Sequence, residues 1–136
     1  IRMVEHELLI LAIQERWPDL VHGRDFWVAH PLDPATGEQS SDAFIAEWKC
    51  SVVPPYVGDL LTRAEQLRPI QAASKAREKR DTLLAASDWT QASDAPTDTK
   101  ETWAAYRQAL REIPQQPEFP MNIEWPVPPS NDVHRR

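Results

Sequence analysis

Apolar and polar positions at the start of the chain recur at helical spacing. Leu9, Ile10, Ile13 and Trp17 fall on one face, which predicts a helix over Val4 to Trp17 with Pro18 just beyond to help end it. Asp25 to His30 is aromatic and β-branched, the content of a strand. A polar loop follows from Pro31 to Asp42. In Ala43 to Cys50, Phe44, Ala46 and Trp48 alternate with Ile45, Glu47 and Lys49, the period of a second strand. The two strands make a hairpin. A lone hairpin is marginal in water, so this unit needs the first helix or a partner over one face.

After Pro54-Pro55 the period becomes helical again, from Asp59 to about Ser87. Leu60, Ala64 and Leu67 give a stripe, and Pro69 is expected to break or kink the helix. Between Gln71 and Asp81 only alanines are apolar, while Lys75, Arg77, Lys79 and Arg80 make the stretch basic. That pattern reads as a solvated face: a spacer, an exposed connector or a seam for self-association.

The last part is the most sharply patterned. Ser87 to Pro96 is a polar turn region around Trp89, and Asp98 with Glu101 forms a capping-box arrangement for the next helix. Trp103, Tyr106, Leu110 and Ile113 make its stripe, and Pro114 ends it. Then Phe119, Met121, Ile123, Trp125 and Val127 occupy every second position, with Pro120 and Pro126 among the residues between. Strict alternation means an extended segment with one apolar face. Its prolines lack ladder donors, so it is either an edge strand or an arm laid on another surface.

Composition narrows the function. The chain has 136 residues and a net charge of −6, which argues against a nucleic-acid or anionic-membrane binder. The longest apolar run, Leu8 to Ile13, is too short to span a bilayer. Thirteen prolines against 3 glycines favour stiff connections and leave no phosphate-cradling loop. Six tryptophans imply either a core of large rings or an adhesive surface. The single cysteine, Cys50, can form neither an internal disulfide nor a thiolate zinc site, which suits a reducing compartment.

Reactive chemistry is thinly represented. His22, Asp25, His30 and Asp33 are metal-ligand types, but their spacing fits no zinc or calcium pattern and reads as a polar loop. Cys50 and His30 lack anything to orient or activate them as a nucleophile and base. No catalytic residue, cofactor or metal is expected, and an enzyme built on the His22 to Asp33 loop is the weakest reading.

One stretch carries a family likeness. Arg80-Asp81-Thr82-Leu83-Leu84-Ala85-Ala86-Ser87-Asp88-Trp89-Thr90, Asp94-Ala95-Pro96, Trp103 to Arg111, Phe119-Pro120 and Trp125-Pro126 together resemble the phage tail assembly chaperone family over roughly residues 80–129. Gln91-Ala92-Ser93 stands where the family more often has a leucine-proline pair, and Arg111-Glu112 replaces its commoner Arg-Asp. The first segment, through Trp17-Pro18, Gly23-Arg24-Asp25-Phe26 and Ile45-Ala46-Glu47-Trp48, is similar to the small XkdW-type phage tail proteins.

The expected architecture is therefore α+β. A helix-and-hairpin unit spans 1–56 and a connecting helix 57–82. A chaperone-like module with a helix and a proline-rich edge strand spans 83–129, before a disordered tail at 130–136. The resemblance implies a non-enzymatic protein that binds a phage tail-fibre polypeptide, itself expected to be trimeric, and assists its folding or trimerisation in the host cytoplasm. The alternative it leaves open is a permanent structural adaptor or cap on the virion's tail fibre or baseplate. The residues expected to form or support the partner-binding surface are Trp89, Tyr106, Phe119, Met121, Ile123 and Trp125.

Overall fold

A computed structural model describes residues 3–129; the tail expected at 130–136 lies outside the described residues. The chain is α+β: three α-helices, two short 3-10 turns and one two-stranded antiparallel sheet among the described residues. It divides into two compact units, residues 1–71 and 72–136.

The N-terminal unit begins with helix α1 (His6–Arg16), whose buried stripe is Leu8, Leu9, Ala12 and Ile13. Ile10 and Trp17, expected on the central stripe, pack at its margin. Strands β1 (Phe26–Ala29) and β2 (Phe44–Trp48) pair as the expected hairpin. Its long loop is drawn in by an inner turn: the Asp33 amide donates to the Glu38 carbonyl at 2.7 Å and the Gly37 amide to the Asp33 carbonyl at 2.8 Å. Gly37 sits there at φ 75°, a conformation side chains resist.

The sheet corrects the expected phase of β2. Phe26 pairs with Trp48 and Trp27 with Glu47, but Val28 pairs with Ile45. Ala46 is thus the extra residue of a β-bulge. One inserted residue reverses which face the following side chains take. Trp48 and Ile45 therefore both pack on the core beside buried Phe26 and Val28, and Phe44 is left 45% exposed.

Helix α2 (Val57–Ala86) runs on through Pro69, which does not end it. A proline within a helix forfeits one backbone hydrogen bond, a loss that packing on either side can outweigh. The division between the units falls in this helix, just after Pro69. Leu60, Ala64 and Leu67 are buried in the same cluster as α1 and the hairpin, so the first half of the helix completes the N-terminal core. Each fully buried Leu, Ile or Phe there contributes roughly 1.5–3 kcal/mol of apolar transfer.

The C-terminal unit holds the rest of α2, a 3-10 turn over Asp88–Gln91, helix α3 (Thr97–Arg111) and a second 3-10 turn over Ile113–Gln115. Helix α3 begins one residue before the expected cap. Pro96 is its N-cap and no side chain caps it, so Asp98 lies inside the first turn. There its carboxylate still complements the positive end of the helix dipole. Trp103, Tyr106, Leu110 and Ile113 form the core as the stripe predicts, with Leu83, Leu84, Phe119, Ile123 and Trp125 packed against them.

Beyond Ile113 the chain differs from a continuous extended segment. Residues 117–121 form a turn, and 123–129 pair with no strand among the described residues. Backbone bonds from Met121 and Asn122 to the Glu118 carbonyl (3.0 and 3.1 Å) curl the chain and reset its phase. Phe119, Ile123 and Trp125 reach the core, while Met121 and Val127 are 46% and 86% exposed.

Candidate partner-binding surface

The residues singled out for binding all lie in the C-terminal unit. Their arrangement starts at the end of α2. A helix ends with unpaired carbonyls, and many helices satisfy them with a glycine in the left-handed region. No glycine is present here. Ser87 takes that part: its hydroxyl is 2.9 Å from the Leu83 carbonyl and 3.1 Å from the Leu84 carbonyl, and its amide donates to Leu84 at 3.2 Å.

Arg107 of α3 completes the cap. Its Nη1 donates to the Leu84 carbonyl at 2.6 Å and to Ser87 Oγ at 2.7 Å, and its Nη2 donates to Asp88 Oδ1 at 2.8 Å. A cation at a helix C-terminus also complements the dipole. Arg107 is buried, and its Nε lacks a hydrogen-bond partner among the described residues. Thr90, fully buried, donates its hydroxyl to the Ser87 carbonyl at 2.6 Å. The guanidinium thus joins α3 to α2 and fixes the turn that presents Trp89.

Trp89 stands on that turn with 51% of its surface exposed, its ring tilted against Trp103 at 6.2 Å between centroids. Trp103 in turn meets Tyr106 edge-on at 5.5 Å. Tyr106 is buried, so it supports the surface from within. The arm after Ile113 is held at three points. Arg77 lies over the Phe119 ring at 5.4 Å and Lys79 over the Trp125 ring at 4.1 Å, both cation–π contacts. The third hold is Gln116, whose side-chain amide donates to the Glu124 carbonyl and accepts from the Glu124 amide, each at 2.9 Å. This is the pairing that a neighbouring strand's backbone would supply.

The six residues therefore separate. Trp89 and Met121 face solvent, Phe119, Ile123 and Trp125 are half-buried against the core, and Tyr106 lies inside it. The basic stretch of α2, read from sequence as a solvated face, lends Arg77 and Lys79 to the arm's rings.

The residues 73–130 match the family model described as phage tail assembly chaperone protein. Over those residues the chain is similar to phage tail assembly chaperone proteins. Residues 9–72 match a second family model, XkdW protein, so the two matches meet where the two units do. No curated protein and no solved structure matched the chain. Together the matches support a role in phage tail assembly.

Arg107 and Ser87 were not singled out from sequence. The signal was present: Arg107 falls four residues after Trp103 and three before Leu110, a lone cation inside an apolar stripe. In the N-terminal unit, the polar residues weighed as metal ligands are engaged with backbone. His22 Nε2 accepts from the Val28 amide at 3.0 Å, Asp25 Oδ2 from the Val21 amide at 2.8 Å, and Asp33 Oδ1 from the Ala35 amide at 2.7 Å. The Arg24 guanidinium, and after it the Val21 amide, hold the Asp25 carboxyl below the usual carboxylate range. The ring of His30 meets that of His6. Among the described residues no helix is long and apolar enough to cross a membrane.

Proposed function

We propose that the protein binds a phage tail-fibre polypeptide through its C-terminal unit and shields it, in the host cytoplasm, while the fibre folds or trimerises. The observation that carries this reading is Trp89, a large ring half out of the protein on a turn whose backbone Arg107 and Ser87 fix. A rigid aromatic loses little conformational freedom on binding, and such anchors dominate the energetics of protein interfaces. An assembling trimeric fibre has apolar surface and unpaired strand edges to cover. Met121 adds a second exposed, adaptable contact. The role requires no bond-making chemistry.

Co-expression with the fibre protein encoded in the same phage tests the proposal. The expected result is soluble fibre trimer with the wild-type chain and loss of trimer with Trp89→Ala. Equal yields of trimer with and without the chain would refute it. Mass spectrometry of purified particles then decides between release and retention: stoichiometric presence identifies a structural adaptor, and absence a chaperone that leaves.

A further inference from the structure

His6 and His30 are 24 residues apart in the chain, yet their Nδ1 atoms lie 3.0 Å from each other. The ring centroids are 4.9 Å apart and the planes meet at 33°, so the rings approach at a bend and not end to end. We propose that this pair is a two-imidazole binding site for a late first-row divalent cation of the Zn2+, Cu2+ or Ni2+ class.

The geometry suits such an ion. Metal–imidazole bonds are about 2.0–2.1 Å, so two nitrogens on one tetrahedral ion stand roughly 3.3 Å apart. The pair needs to open by only a few tenths of an ångström. Without metal, two neutral rings at this distance share one proton, one Nδ1 donating and the other accepting. Metal binding replaces that proton. The donor ring moves its proton to Nε2, both Nδ1 lone pairs turn to the ion, and neither ring changes charge.

Both rings are held by backbone anchored close by. His6 is the first residue of α1, two beyond Val4, and Val4 is tied on three sides. Its amide donates to Asp42 Oδ1 at 2.7 Å, and its carbonyl accepts from the Ala43 amide at 2.9 Å and from Gln39 Nε2 at 2.7 Å. His30 follows β1, between Ala29, which pairs with Phe44, and Pro31, whose carbonyl accepts from the Ser40 amide at 2.9 Å. These bonds pre-position the two donors, which lowers the ordering cost of binding. Among the described residues no set of three histidine, cysteine or carboxylate ligands assembles, so water would fill the other positions. Imidazole donors and open coordination suit late divalent ions over magnesium or calcium. A bound ion would link α1 to the hairpin and stabilise the native state by mass action.

Calorimetric titration of the full chain with zinc chloride at pH 7.5, with thermal unfolding in parallel, tests the site. The expected result is one equivalent bound, a rise in Tm, and at least tenfold weaker binding in His6→Gln and in His30→Gln, with fold checked by circular dichroism. Nitrogen-15 imidazole NMR on the wild-type chain reads the site without a substitution, and both Nδ1 resonances should move together as zinc is added. Zinc affinity unchanged in both variants, or Nδ1 shifts confined to one ring, would overturn the proposal.

Discussion

The Nη1 of Arg107 and the carbonyl of Leu84 lie 2.6 Å apart, joining the middle of one helix to the last turn of another. The same guanidinium reaches Ser87 and Asp88, so one side chain terminates α2, shapes the next turn and holds α3. Its replacement by Met keeps much of the volume and leaves the Leu84 carbonyl and Ser87 hydroxyl short of a donor. The expected loss is about 2–3 kcal/mol. Arg107→Lys keeps the charge without the fork and should recover less than half of that. Urea denaturation followed by tryptophan fluorescence measures both.

Trp89 and Trp103 should respond differently to truncation. Trp103 is in the core, and Trp103→Ala is expected to destabilise the C-terminal unit by about 3–5 kcal/mol. Trp89→Ala removes a half-exposed ring, so it should cost well under half as much and leave the unit folded. Thermal unfolding of the two variants side by side checks the ranking. A Trp89 variant as unstable as the Trp103 variant would make that ring a core residue in practice.

Gln116 gives a more local readout. Gln116→Ala removes both bonds to Glu124, each worth about 1 kcal/mol or less at an exposed site. Hydrogen exchange at the Glu124 amide should accelerate several-fold, with exchange in the body of α3 unchanged. Equal acceleration along α3 would mean that the arm and the helix open as one.

The N-terminal unit carries a modest acid sensitivity. The Arg63 guanidinium, bonded to Glu15 at 2.6 and 2.8 Å, holds that carboxyl below the usual carboxylate range. A carboxyl with a lowered folded-state pKa stabilises above its unfolded value, near 4.3, and that contribution fades as pH falls through the folded value. Glu15→Gln should therefore lower Tm slightly at pH 7 and not at pH 3. A series of melts between those limits checks the sign, and added salt should shrink the difference because the pair is exposed.

Much of this molecule was legible from spacing alone. The stripe Trp103, Tyr106, Leu110 and Ile113 proved to be the second core because a long amphipathic helix states its own buried face. The hairpin was legible for the same reason, but the inward side of β2 was not. A single extra residue, Ala46, reverses the phase, and nothing in the strand's composition marks it. Of the break or kink expected at Pro69, the break does not occur: Leu60, Ala64 and Leu67 before it and Leu83 and Leu84 after it are each packed in a core, and that packing outweighs the local rule. Phe119 to Val127 misled because alternation reports a face only while the chain stays straight, and the turn at Glu118 bends it. The likeness to tail assembly chaperones lay in the order of residues over 80–129, and within that stretch Arg107 ties α3 to the end of α2. The His6–His30 pair had no local signal, since the contact exists only once the hairpin closes on α1.

The amide of Gln116 has an implication for how the arm can pair with an added strand. By engaging both backbone groups of Glu124, it fills the slot that an intruding polypeptide would need in order to zip alongside the arm. Pro120, Pro126 and Pro128 offer no N–H nearby. The arm can thus display its rings while offering few backbone groups on which an added strand could grow.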